Sequence, residues 1–239
     1  MSKNEDLPNA TETNSSELGK RALAIGALSL AGLAVLAGCS MAAPEATLVA
    51  TPAPSSTESV SPETTAPETS LSDEEQDELD QRLIRAAKDN DVELVRELIA
   101  AGGDVNAKDY LEDSAFLYAG AEGFNEILEL TLENGADVKS LNRYGGTALI
   151  PASEHGHVET VKKLIEAGVP VDHVNDPGWT AMQEAVLLND GGEDQQEVVR
   201  LLLEAGADPN ITDPQGRTAL ENARRLGFEE LAEVIESHE

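Results

Sequence analysis

Four glycines recur through the C-terminal two thirds of this 239-residue chain: Gly102, Gly135, Gly168 and Gly206 stand 33, 33 and 38 residues apart. A second register keeps the same steps, because Ser114, Thr147, Thr180 and Thr218 are also separated by 33, 33 and 38 residues. A repeat of that length is one supersecondary unit, too small to close a core alone, so its apolar face is buried by stacking on neighbours. Each glycine suits the left-handed backbone that ends a helix. Each Ser or Thr suits the start of one, where a hydroxyl accepts from free amides. Between them, Ala148, Leu149 and Ala152, then Val158, Val161, Leu164 and Ile165, recur at helical spacing and must pack against the next unit. The pattern predicts an all-α repeat solenoid of helix–turn–helix units.

The stretches NRYGGTALIPASEHGHVETVKKLIEAGVPVD and DPQGRTALENARRLGFEELAEVIE resemble the ankyrin repeat: a turn, G-x-T-P-L, a short helix, G-H, a second helix, then G-A-D-V-N. The resemblance covers residues 79–239. It implies β-hairpin tips between helix pairs and about five units: a truncated one at 79–108, then units beginning near Asp109, Asn142, Asn175 and Asp213. The chain departs from the family pattern where Ala148, Ala181 and Ala219 replace its proline, and the family's histidine is missing from these units. An acidic helix at 72–80 and a polar final helix at 228–238 suit the two ends of the stack. The 38-residue step contains LLNDGGEDQQEVV, in which Gly191-Gly192 should lengthen the loop between the helices of the fourth unit.

The N-terminal third follows a different logic. Lys20-Arg21 precedes a 16-residue apolar run at 22–37, and Cys39, the only cysteine, follows it. As a helix the run would reach roughly 24 Å, short of the ~30 Å hydrocarbon core. A basic pair, a short apolar stretch and small residues are the parts of a secretory signal. Leu36-Ala37-Gly38-Cys39 resembles the lipobox of bacterial lipoproteins, which implies cleavage before Cys39 and acylation of its thiol. The segment that follows holds no lysine, arginine or aromatic residue and is rich in Pro, Thr, Ser and Glu, a composition expected to stay unfolded. The expected domains are a signal peptide at 1–38, an acylated cysteine and linker at 39–72, and the repeat domain at 73–239. The expected location is the extracytoplasmic face of a membrane, reached through the lipid anchor only.

The repeat domain offers little that resembles catalysis. His155 with His173 is a conceivable zinc pair, Glu154 with Glu184 a conceivable acid–base pair, and Asp190, Glu193 and Asp194 a conceivable cation loop. For each, the plainer reading is preferred: packing or solvated side chains in a solenoid. No nucleophile elbow, phosphate-binding loop or dinucleotide fingerprint is present, so the expectation is no enzyme, no cofactor and no metal.

Binding is the better-supported class. The chain has one Trp and three Tyr; Tyr110, Tyr144 and Trp179 fall on predicted tips and Tyr118 on a first helix, with Arg143 and Arg217 also at tips. Trp, Tyr and Arg dominate binding hot spots, so these six residues are the expected partner-binding anchors; the competing reading is that tip aromatics prop adjacent tips together. The net charge of −30 disfavours nucleic acid; it would steer in a protein partner with a basic or mixed surface, the competing reading being that the acidity only keeps the chain in solution. The expected function is a membrane-tethered protein-interaction module, acting as a monomer. The alternative is a small-ligand or glycan-binding lipoprotein using Glu154, His155, Trp179 and Glu184.

Overall fold

The computed structural model describes residues 71–238; the signal-like run, Cys39 and the linker up to residue 70 lie outside the described residues. Among the described residues there are ten helices and no strand. They pair in sequence: α1 (Asp73–Lys88) with α2 (Val92–Ala100), α3 (Ala115–Glu122) with α4 (Asn125–Glu133), α5 (Leu149–Glu154) with α6 (Val158–Glu166), α7 (Ala181–Leu187) with α8 (Glu193–Glu204), and α9 (Ala219–Leu226) with α10 (Glu229–Glu236). The first helices stack in one row, α1 on α3, α5, α7 and α9 in turn, and the second helices stack behind them. None of these helices is long and apolar enough to cross a membrane.

One core runs the length of the stack. Leu83, Phe116, Leu149, Ala185 and Ala223 on first helices meet Val95, Ile127, Leu164, Leu202 and Leu231 on second helices, all without measurable exposure. The alanines at 148, 181 and 219 are buried, and the reason for a small residue is visible at Gly120 in α3. A Cβ there would lie 2.8 Å from the Ala148 Cβ, so adjacent first helices approach almost backbone to backbone. The four periodic glycines all have left-handed φ values of 97, 84, 85 and 89° just after their helices, as the sequence register requires.

The helix starts follow the register with one exception. Ser114, Thr180 and Thr218 each accept from the amide three residues on, and Thr218 completes a capping box with Glu221. Thr147 does not: its hydroxyl is buried without a partner, and α5 begins one residue late. The cause is Pro151. It has no N–H to donate to the Thr147 carbonyl, where Tyr118, Glu184 and Asn222 donate to the equivalent carbonyls. That carbonyl instead takes the Ile150 amide at 3.2 Å, tightening the turn and drawing the amide away from the hydroxyl.

The tips between units are closed loops. In each, the backbone amide of Asp109, Asn142, Asn175 or Asp213 donates to the carbonyl four residues on, at 2.8–3.0 Å. The same residue's side-chain Oδ1 then accepts from amides inside the loop: Leu111 and Asp113, Tyr144 and Gly146, Trp179, and Gln215 and Arg217. The five extra residues of the fourth unit lengthen the loop as expected but also extend a helix, since α8 has 12 residues where α2, α4 and α6 have 9. That loop is tied down: the Asn189 side chain donates to the Glu154 carbonyl.

Candidate binding groove

A groove of about 420 Å³ opens on the row of first helices, bounded by the tips at Asn142–Tyr144 and Asn175–Pro177 and by α3, α5 and α7. The register explains its composition. Tyr118, Pro151 and Glu184 stand four residues after Ser114, Thr147 and Thr180 in successive units, and all three line the groove.

Tyr118 forms one wall. Lys88 Nζ lies 5.2 Å from its ring centroid and the Phe124 ring is 6.3 Å away. The same ammonium bonds Asp109 Oδ2 at 2.7 Å and Asp113 Oδ2 at 2.8 Å, so burial, which would lower its pKa, is outweighed and the pKa is raised. The opposite wall is Tyr144, 57% exposed, with the Arg143 guanidinium 5.3 Å from its ring centroid. Arg143 also approaches Asp113 at 3.6 Å, linking the second and third units. The Tyr144 carbonyl accepts from the Asp176 amide at 2.9 Å, and the Gly145 carbonyl accepts from His173 Nε2–H at 2.6 Å, which latches this tip to the next.

The acidic end of the groove is the unexpected part. The sequence predicts solvated surface acids at Glu154 and Glu184; Glu184 is instead only 7% exposed. Burial pushes its pKa up to about 7, and the nearby Glu154 carboxylate adds to the rise; the Asn175 amide, donating to Oε1 at 2.7 Å, and His155 partly offset it. His155 spends its Nδ1–H on the Ala121 carbonyl at 2.8 Å, leaving Nε2 as its second nitrogen. His157 stands edge-on to it at 5.5 Å, and burial followed by the His155 charge lowers its pKa.

The six expected anchors do not share this site. Tyr118, Arg143 and Tyr144 line the groove. Tyr110 projects from its own tip, 90% exposed. Arg217 is held by Asp213 Oδ2 at 3.1–3.2 Å and by Gln215, away from the groove. Trp179 is half-buried, its indole N–H buried without a partner among the described residues, and it does not line the groove. A sugar platform built from Trp179 beside Glu154, His155 and Glu184 is therefore not assembled. His155 and His173 are both committed to backbone carbonyls, and among the described residues no three metal-ligating side chains converge.

A sequence model for ankyrin repeats, three copies in length, matches residues 83–175 and again 116–213. Over 52 residues the chain is 58% identical to the ankyrin repeat protein YahD of Escherichia coli, a match covering 22% of this chain and 26% of that protein. It is 34% identical over 61 residues to an ankyrin repeat protein of Rickettsia felis, covering 26% of this chain and 97% of the relative. Among solved structures, an ankyrin repeat domain from Acinetobacter baumannii aligns with 53% identity and a TM-score of 0.64, over 65% of this chain and 80% of that one. The ankyrin repeat protein EF0377 aligns with 43% identity and the same score, over 66% and 80%.

Proposed function

Because the chain belongs to the ankyrin-repeat family, we propose that it is a protein-interaction module tethered to a membrane by acylated Cys39, with its partner seated in the first-helix groove. Ankyrin repeats as a class mediate protein–protein contacts and are not catalytic. The observation that carries the choice of surface is the groove itself: two tyrosines and an arginine converge on one cavity spanning three units. The tether rests on the lipobox-like Leu36-Ala37-Gly38-Cys39 after its short apolar run. In this reading, residues 1–38 are removed, 39–72 form a spacer, and 73–239 form a monomeric head on the extracytoplasmic face. The head's acidity steers in a partner with a basic or mixed surface and repels nucleic acid.

Two measurements test the two halves separately. Metabolic labelling with a palmitate analogue should mark the wild type and not Cys39→Ala, and the variant should leave the membrane fraction. Equal labelling of both would remove the anchor from the proposal. For the groove, Arg143→Ala with Tyr144→Ala should weaken capture of an envelope partner at least tenfold without lowering the melting temperature. Unchanged capture would move the interface elsewhere.

A further inference from the structure

The groove carries more charge of one sign than its own residues answer. Asp113 is paired with Lys88 and Arg143, but among the described residues neither Glu154 nor Glu184 has a cationic partner. Glu184 is more than nine-tenths buried and lines the cavity with one oxygen held by Asn175 and the other free of any bond among the described residues. A buried carboxylate facing a second one, in a cavity open to solvent, is a costly arrangement that a cation relieves. Tyr118 and Tyr144, each with a cation over its ring, supply aromatic surface to the same cavity, and Ile150 and Pro151 supply apolar surface to it. A cation on a hydrocarbon stem matches all three features.

We propose that the groove receives a lysine side chain from an extended segment of the partner protein, its ammonium between Glu154 and Glu184 and its stem against Tyr144, Ile150 and Pro151. This rests on the protein-binding reading and names the partner's chemistry. Lysine fits better than arginine because Asn175 already occupies Glu184 Oε1. A guanidinium seeks both oxygens of one carboxylate, whereas a compact ammonium with three donors can bridge the free oxygen of Glu184 to Glu154. Arg143 at the rim attracts an acidic side chain in the partner's flanking positions only weakly, since Asp113 and the Tyr144 ring already engage it. Glu184 is faced by Glu154 at the end of α5, by His155 just after it and by Asn175 from its own tip. The lysine enters against an ionised Glu184, so binding releases a proton and strengthens as the pH rises.

The test uses the full chain in detergent and fluorescence anisotropy of a capped peptide carrying a single lysine among glycines and serines. About 150 mM salt keeps general attraction to the acidic surface short-ranged, with a Debye length of ~8 Å. Glu184→Gln, which keeps the Asn175 bond, and Glu154→Gln should each weaken binding about tenfold, and Nε-acetylation of the peptide should abolish it. Wild-type affinity should rise roughly tenfold from pH 6 to pH 8, as Glu184 goes from about a tenth to about nine tenths ionised, and Glu184→Gln should flatten that rise. Equal binding by wild type and both variants, or a peptide indifferent to acetylation, overturns the lysine assignment. Spermidine competing as strongly as the peptide overturns it in favour of a small amine. In each case, loss of the envelope partner in the Arg143 and Tyr144 variant would leave the protein-binding reading standing.

Discussion

Two buried carboxylates, those of Glu184 and Asp213, each accept an amide N–H from an asparagine, Asn175 at 2.7 Å and Asn222 at 2.9 Å. The donor and acceptor have exchanged places between units: the tip residue donates to the helix residue in the fourth and accepts from it in the fifth. Their ionisation then diverges. Glu184, short of donors and close to Glu154, titrates at about 7. For Asp213, burial alone would raise the pKa. Bonds from Asn222, from the Arg217 amide and guanidinium and from the Gln215 amide instead hold it at about 2. The stability consequences have opposite signs. A raised acid weakens the fold once both states are ionised, so Glu184→Gln should stabilise by roughly 1–3 kcal/mol at pH 8 and by little at pH 4, below the usual 4.5. A depressed acid stabilises above its ordinary 3.8 and loses that contribution as the pH falls through about 2. Asp213→Asn should therefore cost roughly 1–3 kcal/mol at pH 7, with the difference shrinking in strong acid. Urea unfolding at the stated pH values checks both; a gain for Glu184→Gln that is the same at pH 4 would show packing, not charge, to be its cause.

Among the elements, α5 differs from its counterparts in a way one residue explains. Pro151 removes an amide, the turn tightens, and Thr147 loses the capping bond that Thr180 makes to the Gln183 amide at 3.2 Å. Thr180→Val should cost about 1 kcal/mol, whereas Thr147→Val, which replaces an unpartnered buried hydroxyl with a methyl, should be neutral or stabilising. Thermal melts of the two variants decide it; equal losses would mean that Thr147 caps after all. The contact between α3 and α5 sets a second limit. With the Cβ position at Gly120 already 2.8 Å from Ala148, Gly120→Val should prise the two helices apart and cost more than about 2 kcal/mol, a much larger penalty than its helix propensity implies. The alanine at 148 in place of the family's proline is legible here as a packing choice. The capping register was plain in the sequence, but the exception at Thr147 depended on a proline four positions on.

Across the whole molecule, the charge is the property that no single unit reveals. Acidic residues outnumber basic ones 46 to 16, and the ion pairs among the described residues absorb few of them. Self-repulsion should therefore oppose folding at low ionic strength. Raising NaCl from about 20 to 500 mM should raise the melting temperature by several degrees, an amount worth about 1 kcal/mol. A fall instead would mean that pairs such as Lys88 with Asp109 and Asp113 outweigh the repulsion. Repulsion acts along a stack in which each unit holds only its neighbours, and the polar bonds between units resist it: Asn106 to Gly135 and Asp137, Asp172 to Asp208, and Gln183 to Arg217 and Asn222.

The sequence by itself determined the period, the number of units, the glycine helix ends and the apolar positions. All of these are local or nearest-neighbour properties, and a 33-residue repeat states them several times over. It also marked Asp109, Asn142, Asn175 and Asp213 as unit beginnings, without the loop-closing bonds that their side chains make. Only the tertiary structure decided the groove and its lining. Whether Tyr118, Arg143 and Tyr144 meet, and whether Trp179 and Arg217 join them, depends on how one unit is rotated and set against the next. Glu184 shows the reason most clearly. On its own helix it is one more acid in an acidic chain; the packing of α5 and the Asn175 tip against it takes away its water and leaves a buried carboxylate facing an open cavity.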